Sequence, residues 1–147
     1  VLNEKEALKL EIKNAENLHG HLGPFLVIGV KMARLAKKTL CPDNAKNWDM
    51  QVTAKLPLAT PFSCILDGIQ ATTQCTVGNQ KLKVENHEEG MTATFKIKNQ
   101  NKALTIHVNP QVIEMLKEQL SKGKPNEDLA WEIAVTPEKH LFKIEKR

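Results

Sequence analysis

Residues 50–56, MQVTAKL, alternate apolar and polar side chains, and three further strand-like runs follow: KLKVENH, MTATFKIKN and ALTIHVN. A period of two lets each run bury one face and wet the other. Strands of this kind need a second layer over their apolar face, and the flanking segments supply it as helices. The first helix is predicted over residues 3–18, where Leu8, Ile12 and Ala15 share one stripe. A second begins at Pro24, since proline suits a first helical turn. Phe25, Ile28, Met32 and Leu35 trace its apolar face, with Lys31, Arg34, Lys37 and Lys38 largely off it. Gly29 inside this helix costs about 1 kcal/mol relative to alanine, and such a glycine often permits close approach by another backbone.

SCILDGIQATTQC reads as a third helix capped by Thr60 or Ser63. CPDNAKNWD is a turn-rich connection, and Gly78-Asn79 marks a turn. Glu89-Gly90 and the NQNK segment read as hairpin connections. Pro110 opens a helix to about residue 120, residues 126–135 form another, and HLFKIEK is a short final strand. The expected class is α+β: helices packed on a mostly antiparallel sheet, as one domain over residues 1–147.

Composition excludes several functions. The net charge is +4, but the lysines are scattered, aromatics are only 4% and tyrosine is absent, so base-stacking platforms for nucleic acid are scarce. No apolar stretch is long enough to span a bilayer, and the charged N-terminal segment does not read as a signal peptide. The expected compartment is therefore the cytoplasm. Cys41, Cys64 and Cys75 are odd in number and widely spaced, with no CxxC pair, which fits free thiols rather than a disulfide framework or a zinc finger. No nucleotide fingerprint, phosphate loop or serine-hydrolase elbow is present.

The residues with chemistry to offer begin with His19 and His21. They flank Gly20, whose backbone freedom lets both rings turn toward one point. Neutral imidazole is the commonest metal ligand among side chains, although two hydrogen-bonded loop histidines would read the same way. Cys64 and Asp67 stand three apart and share a helix face near its N-terminus, where the dipole stabilises anions. A thiolate with imidazoles suits zinc or another divalent transition metal, and a small buried hydrophobe is the other reading of Cys64. Cys75 points the same way as Cys64 on an unbroken helix but would lie about 16 Å further along, so both cannot bind one ion unless the helix ends early. His107 sits on the side of Thr105 and Asn109, as an ordinary outward strand residue does, and His87 and His140 lie near element ends.

HGHLGPFLVIGVKMARLA resembles the opening signature of the E-type family associated with formylmethanofuran dehydrogenase, whose commoner form is HGHxCPGxxxG. CILDGIQATTQCTVGN is similar to the family's second signature, a Cys-x-x-Asp-(Ala/Gly)-Ile-Gln helix ending in Gly-Cys-Thr-x-Gly. The resemblance implies an α+β core that associates as a homodimer, with a cleft that commonly binds zinc. It implies His19, His21 and Cys64 as metal ligands, Asp67 and Cys75 as catalytic candidates, and Gln70 as a further matching position. Gly23 stands where the commoner motif has cysteine, Gln74 stands where glycine is usual, and no cysteine follows Cys75 to build a C-terminal zinc finger. A role beside a dehydrogenase complex in one-carbon metabolism follows. The redox step itself is not expected here, because nothing in this chain supplies four cysteines for an iron–sulfur cluster. A metal-dependent enzyme using Asp67 for proton transfer, and a domain with no metal, are the alternatives, and a small molecule at the metal is the expected ligand.

Overall fold

A computed structural model describes residues 2–41, 49–98 and 100–146. The elements run α1 (Glu4–His19), α2 (Pro24–Leu40), β1 (Met50–Leu56), α3 (Cys64–Thr73), β2 (Leu82–Asn86), β3 (Thr92–Ile97), β4 (Lys102–Val108), α4 (Pro110–Ser121), α5 (Asn126–Val135), α6 (Glu138–Leu141) and β5 (Phe142–Lys146). The architecture is α+β, with five strands in the order β2-β1-β3-β4-β5. Most of the turn-rich connection after Cys41 lies outside the described residues.

Alternation fixes which strand face is buried. Met50, Val52, Ala54 and Leu56 of β1 are buried, as are Ala93, Phe95 and Ile97 of β3 and Leu104, Ile106 and Val108 of β4. Register places Val52 opposite Phe95, and Phe95 opposite Leu104, so one row of apolar side chains crosses the sheet. The helical layer covers this face, with α2 packed on β3 and β4. The opposite face carries Thr53, Thr94 and Thr105 in one register row.

One expected connection is different. The Glu89-Gly90 segment does not close a hairpin, because β2 runs parallel to β1 on its outer side while β3 pairs antiparallel on the other. Parallel neighbours need a long crossover, and the stretch from Pro57 to Lys81, which contains α3, provides it. The β3–β4 connection is a true hairpin.

Helix α2 is buried almost all round from Pro24 to Ala33, Lys31 included. The Lys31 side chain reaches the end of α5, where its ammonium donates to the carbonyls of Ile133 (3.1 Å) and Ala134 (3.0 Å) and also to that of Thr136. The Ile133 carbonyl also accepts from the Thr136 N–H, and the buried cation joins it in capping the end of α5. Burial pushes the Lys31 ammonium below its ordinary pKa, with the Glu138 carboxylate opposing.

Helices α2 and α3 cross at two glycines. A Cβ added at Gly29 would lie 2.2 Å from the Ile65 carbonyl oxygen, and one at Gly68 would lie 2.3 Å from that of Leu26. The predicted close approach at Gly29 is therefore real, and its partner is the backbone of α3. This crossing sets the N-terminal half of α3 against the start of α2.

Candidate functional site

His19 is the last residue of α1. Gly20 ends that helix with φ 101°, in the left-handed region, and its N–H bonds the Glu16 carbonyl at 2.7 Å. Pro24 then starts α2, with Gly23 extended before it. His19 and His21 thus lie at a tight corner between two helices. His19 is half-buried and His21 is exposed. Their rings stack, with centroids 4.5 Å apart and planes 30° from parallel. The rings meet face to face, which a glycine-separated pair can do at low backbone cost.

A chain of hydrogen bonds fixes the His19 ring. The Val77 N–H donates to Gln70 Oε1 at 3.1 Å, which leaves the Gln70 Nε2 to donate to Asp67 Oδ1 at 3.0 Å. The other Asp67 oxygen, Oδ2, lies 2.6 Å from His19 Nδ1. A carboxylate only accepts, so Nδ1 carries a ring hydrogen, and in the neutral ring Nε2 then keeps the lone pair. That Nε2 is buried and has no hydrogen-bond partner among the described residues. A buried nitrogen lone pair without a partner is costly, and it is the kind of group that an ion or a water satisfies.

His19, His21 and Cys64 all line one small cavity of about 20 Å³, together with Phe25, Pro61 and Asn126. This volume suits a single water or ion and is far too small for an organic substrate. Cys64 opens α3 and is buried, with only 8% of its surface exposed. Burial pushes its thiol above the ordinary pKa, and the nearby Asp67 carboxylate pushes it the same way. Ser63 precedes the helix, but its side chain makes no capping hydrogen bond.

The other candidates lie elsewhere. Helix α3 stops at Thr73, with Gln74 in the left-handed region at φ 59°, so Cys75 leaves the helix direction. Its Sγ donates to the Met50 carbonyl at 3.3 Å within the core, and it does not line the cavity. Burial raises the Cys75 thiol as well. His107 lies 3.1 Å from Glu145, on the face opposite Ile106, and with His87 borders a different cavity. His140 is exposed, and its carbonyl accepts from Asn109. Among the described residues, no three His, Cys, Asp or Glu side chains stand grouped as a bound ion would need.

Asn126 is the site residue that sequence reasoning missed. It opens α5 after Pro125, more than a hundred positions along the chain, and nothing in its local pattern points to the HGH corner. A Cβ at position 23 would come 3.3 Å from its Oδ1, so Asn126 fills space beside Gly23.

Residues 18–143 match a protein family described as FmdE, molybdenum formylmethanofuran dehydrogenase operon. The chain belongs to the FmdE family. The match begins one residue before His19 and ends inside β5, so it takes in both motifs and strands β1 to β4. A solved structure of a tungsten formylmethanofuran dehydrogenase FmdE-like protein from Syntrophus aciditrophicus has the same fold, with a TM-score of 0.65 and 19% identity over 95% of this chain and 71% of that one. A curated relative from Archaeoglobus fulgidus, described as a probable S-adenosyl-L-methionine-binding protein, is 30% identical over 80 residues, which are 54% of this chain. The match spans only 22% of that longer protein.

For this FmdE-family chain, the chemistry of the donors fits a zinc-type ion: two imidazoles and a thiol, with a carboxylate on the far nitrogen of one ring. Of the predicted site residues, the fold gathers His19, His21, Cys64, Asp67 and Gln70 into one place and leaves Cys75 outside it.

Proposed function

We propose that this FmdE-family protein is a metal-binding accessory protein of formylmethanofuran-related one-carbon metabolism, with His19, His21 and Cys64 holding zinc or a similar divalent ion. The observation that carries the reading is the buried, unpartnered His19 Nε2, whose tautomer is set by Asp67. A carboxylate on the second nitrogen of a ligating histidine orients the ring and raises its basicity. Three protein ligands would leave one position for water or a small ligand, and an ion there supplies Lewis acidity.

The chain's own residues shape that position. Phe25 and Pro61 wall the cavity and limit it to a water-sized guest. Asp67 already accepts from both His19 and Gln70, so it acts as a positioning residue rather than a mobile proton carrier. Family membership supports work beside a dehydrogenase, in the cytoplasm. Among the described residues no helix is long and apolar enough to cross a membrane.

Metal analysis of folded protein tests the reading. About one divalent ion per chain is expected in the wild type and in Cys41→Ala and His107→Ala, with occupancy lost in His19→Ala/His21→Ala and in Cys64→Ala. Full occupancy in the double histidine variant would overturn the site. A screen for metal-dependent turnover then separates an accessory role from an enzyme.

We also propose a homodimer. The strands β2 and β5 are open sheet edges, and β5 exposes Ile144 at 41%. Pairing covers such edges. Light scattering at micromolar concentration should give twice the chain mass, and the mass of a single chain would contradict the proposal.

A further inference from the structure

A second, larger recess lies away from the HGH corner. Helices α1 and α5 both pack on α2 but make little contact with each other. The gap between them is a trough of about 650 Å³ floored by α2, within the size range of small-molecule sites. Leu8 and Ile12 form one wall; Trp131, Val135 and Pro137 form the other. Trp131 is 39% exposed and Val135 78%, so this wall holds apolar surface in water.

Charge distinguishes the trough from an ordinary apolar gap. Among the described residues, six cationic side chains and two carboxylates line it. Three of the cations stand on the α2 floor and are already engaged: Lys31 with the α5 carbonyls, Arg34 with Glu4 and Glu11, and Lys38 with Glu138. Lys5, Lys9 and Lys139 stand on the rim, exposed, and make no ion pair among the described residues. A recess with low-dielectric walls and cations of one sign at its mouth concentrates anions.

We propose that this trough binds a small organic anion with an apolar body. The body lies against Leu8, Ile12, Trp131 and Val135, and the anionic group meets Lys5, Lys9 and Lys139. Length favours a compact ligand over a partner helix. The α1 wall from Glu4 to Ile12 runs about 12 Å at 1.5 Å per residue, little more than two helical turns. A docked amphipathic helix uses anchors over a longer groove. The site is independent of the metal reading, because none of its residues borders the HGH cavity.

The test uses 1-anilinonaphthalene-8-sulfonate, an aromatic anion, and its uncharged counterpart N-phenyl-1-naphthylamine. Saturable fluorescence enhancement with about one sulfonate probe per chain is expected. The variant Lys5→Glu/Lys9→Glu/Lys139→Glu should weaken sulfonate binding at least tenfold and change binding of the neutral probe less than twofold. Val135→Glu should weaken both. These positions are exposed, and an unchanged circular dichroism spectrum confirms that each variant is folded; Lys→Gln at the same three sites replaces any that is not. No saturable binding, or equal sulfonate binding in the wild type and the lysine variant, would overturn the proposal. So would a wild-type dimer that Val135→Glu converts to a monomer, because the trough would then be covered by a second copy.

Discussion

Gly29→Ala is expected to destabilise the protein by about 3 kcal/mol, at the upper end of what overpacking usually costs. The added methyl would lie 2.2 Å from the Ile65 carbonyl oxygen and 3.1 Å from the Gly68 Cα. Both obstacles are backbone, so no side chain can rotate out of the way. Helices α2 and α3 must separate, and Leu26, Ile65 and Ile69, all buried at this crossing, lose close packing. Alanine gains about 1 kcal/mol of helix propensity over glycine, which is too little to offset this. Urea unfolding measures the difference. Gly78→Ala is the control, because a Cβ there meets only Thr76 Oγ1 at 3.7 Å, and it should stay within about 0.5 kcal/mol of wild type. Equal stability of Gly29→Ala and wild type would mean that the crossing is looser than these distances imply.

Such crossings mark the boundary of what the chain shows in one dimension. The periodicity of MQVTAKL defines β1, and Pro24 places the start of α2, because both are local signals. The three-residue spacing of Cys64 and Asp67 already puts them on one helix face. Strand order is not local. A period of two says which face of a strand is buried but not which strand lies beside it. The parallel placement of β2 is therefore invisible in the sequence, and Glu89-Gly90 has the composition of a hairpin turn without closing one. Lys31 falls largely off the apolar face by residue type, because a lysine is normally solvated. It is buried because three carbonyls more than a hundred residues later in the chain receive its ammonium. The same holds at the site. HGH and Cys-x-x-Asp are visible as motifs, but the contact of His19 with Asp67, the orientation of Gln70 by Val77 and the presence of Asn126 are products of the fold.

The network around His19 leads to the other large effect expected. Asp67→Asn should lower metal affinity about 100-fold, the upper end for loss of a partner behind a ligating histidine. The reason is the ring tautomer rather than charge alone. The Val77 N–H holds Gln70 Oε1, so Gln70 Nε2 must keep donating toward residue 67. An asparagine there would turn its oxygen to Gln70 and its NH₂ to His19 Nδ1. The ring would then accept at Nδ1 and carry its hydrogen on Nε2, the atom proposed to bind the ion. Removing the constraint should reverse part of the loss. In Asp67→Asn/Gln70→Ala the asparagine amide can turn over and present its oxygen to Nδ1, so affinity should recover several-fold relative to Asp67→Asn alone. Nitrogen chemical shifts of His19 in metal-free protein report the tautomer directly. The wild type should show the hydrogen on Nδ1 and Asp67→Asn should show it on Nε2. If both proteins show the same tautomer, or if the second substitution deepens the loss of affinity, Asp67 does not act through the ring, and the proposed link between this hydrogen-bond chain and metal binding is wrong.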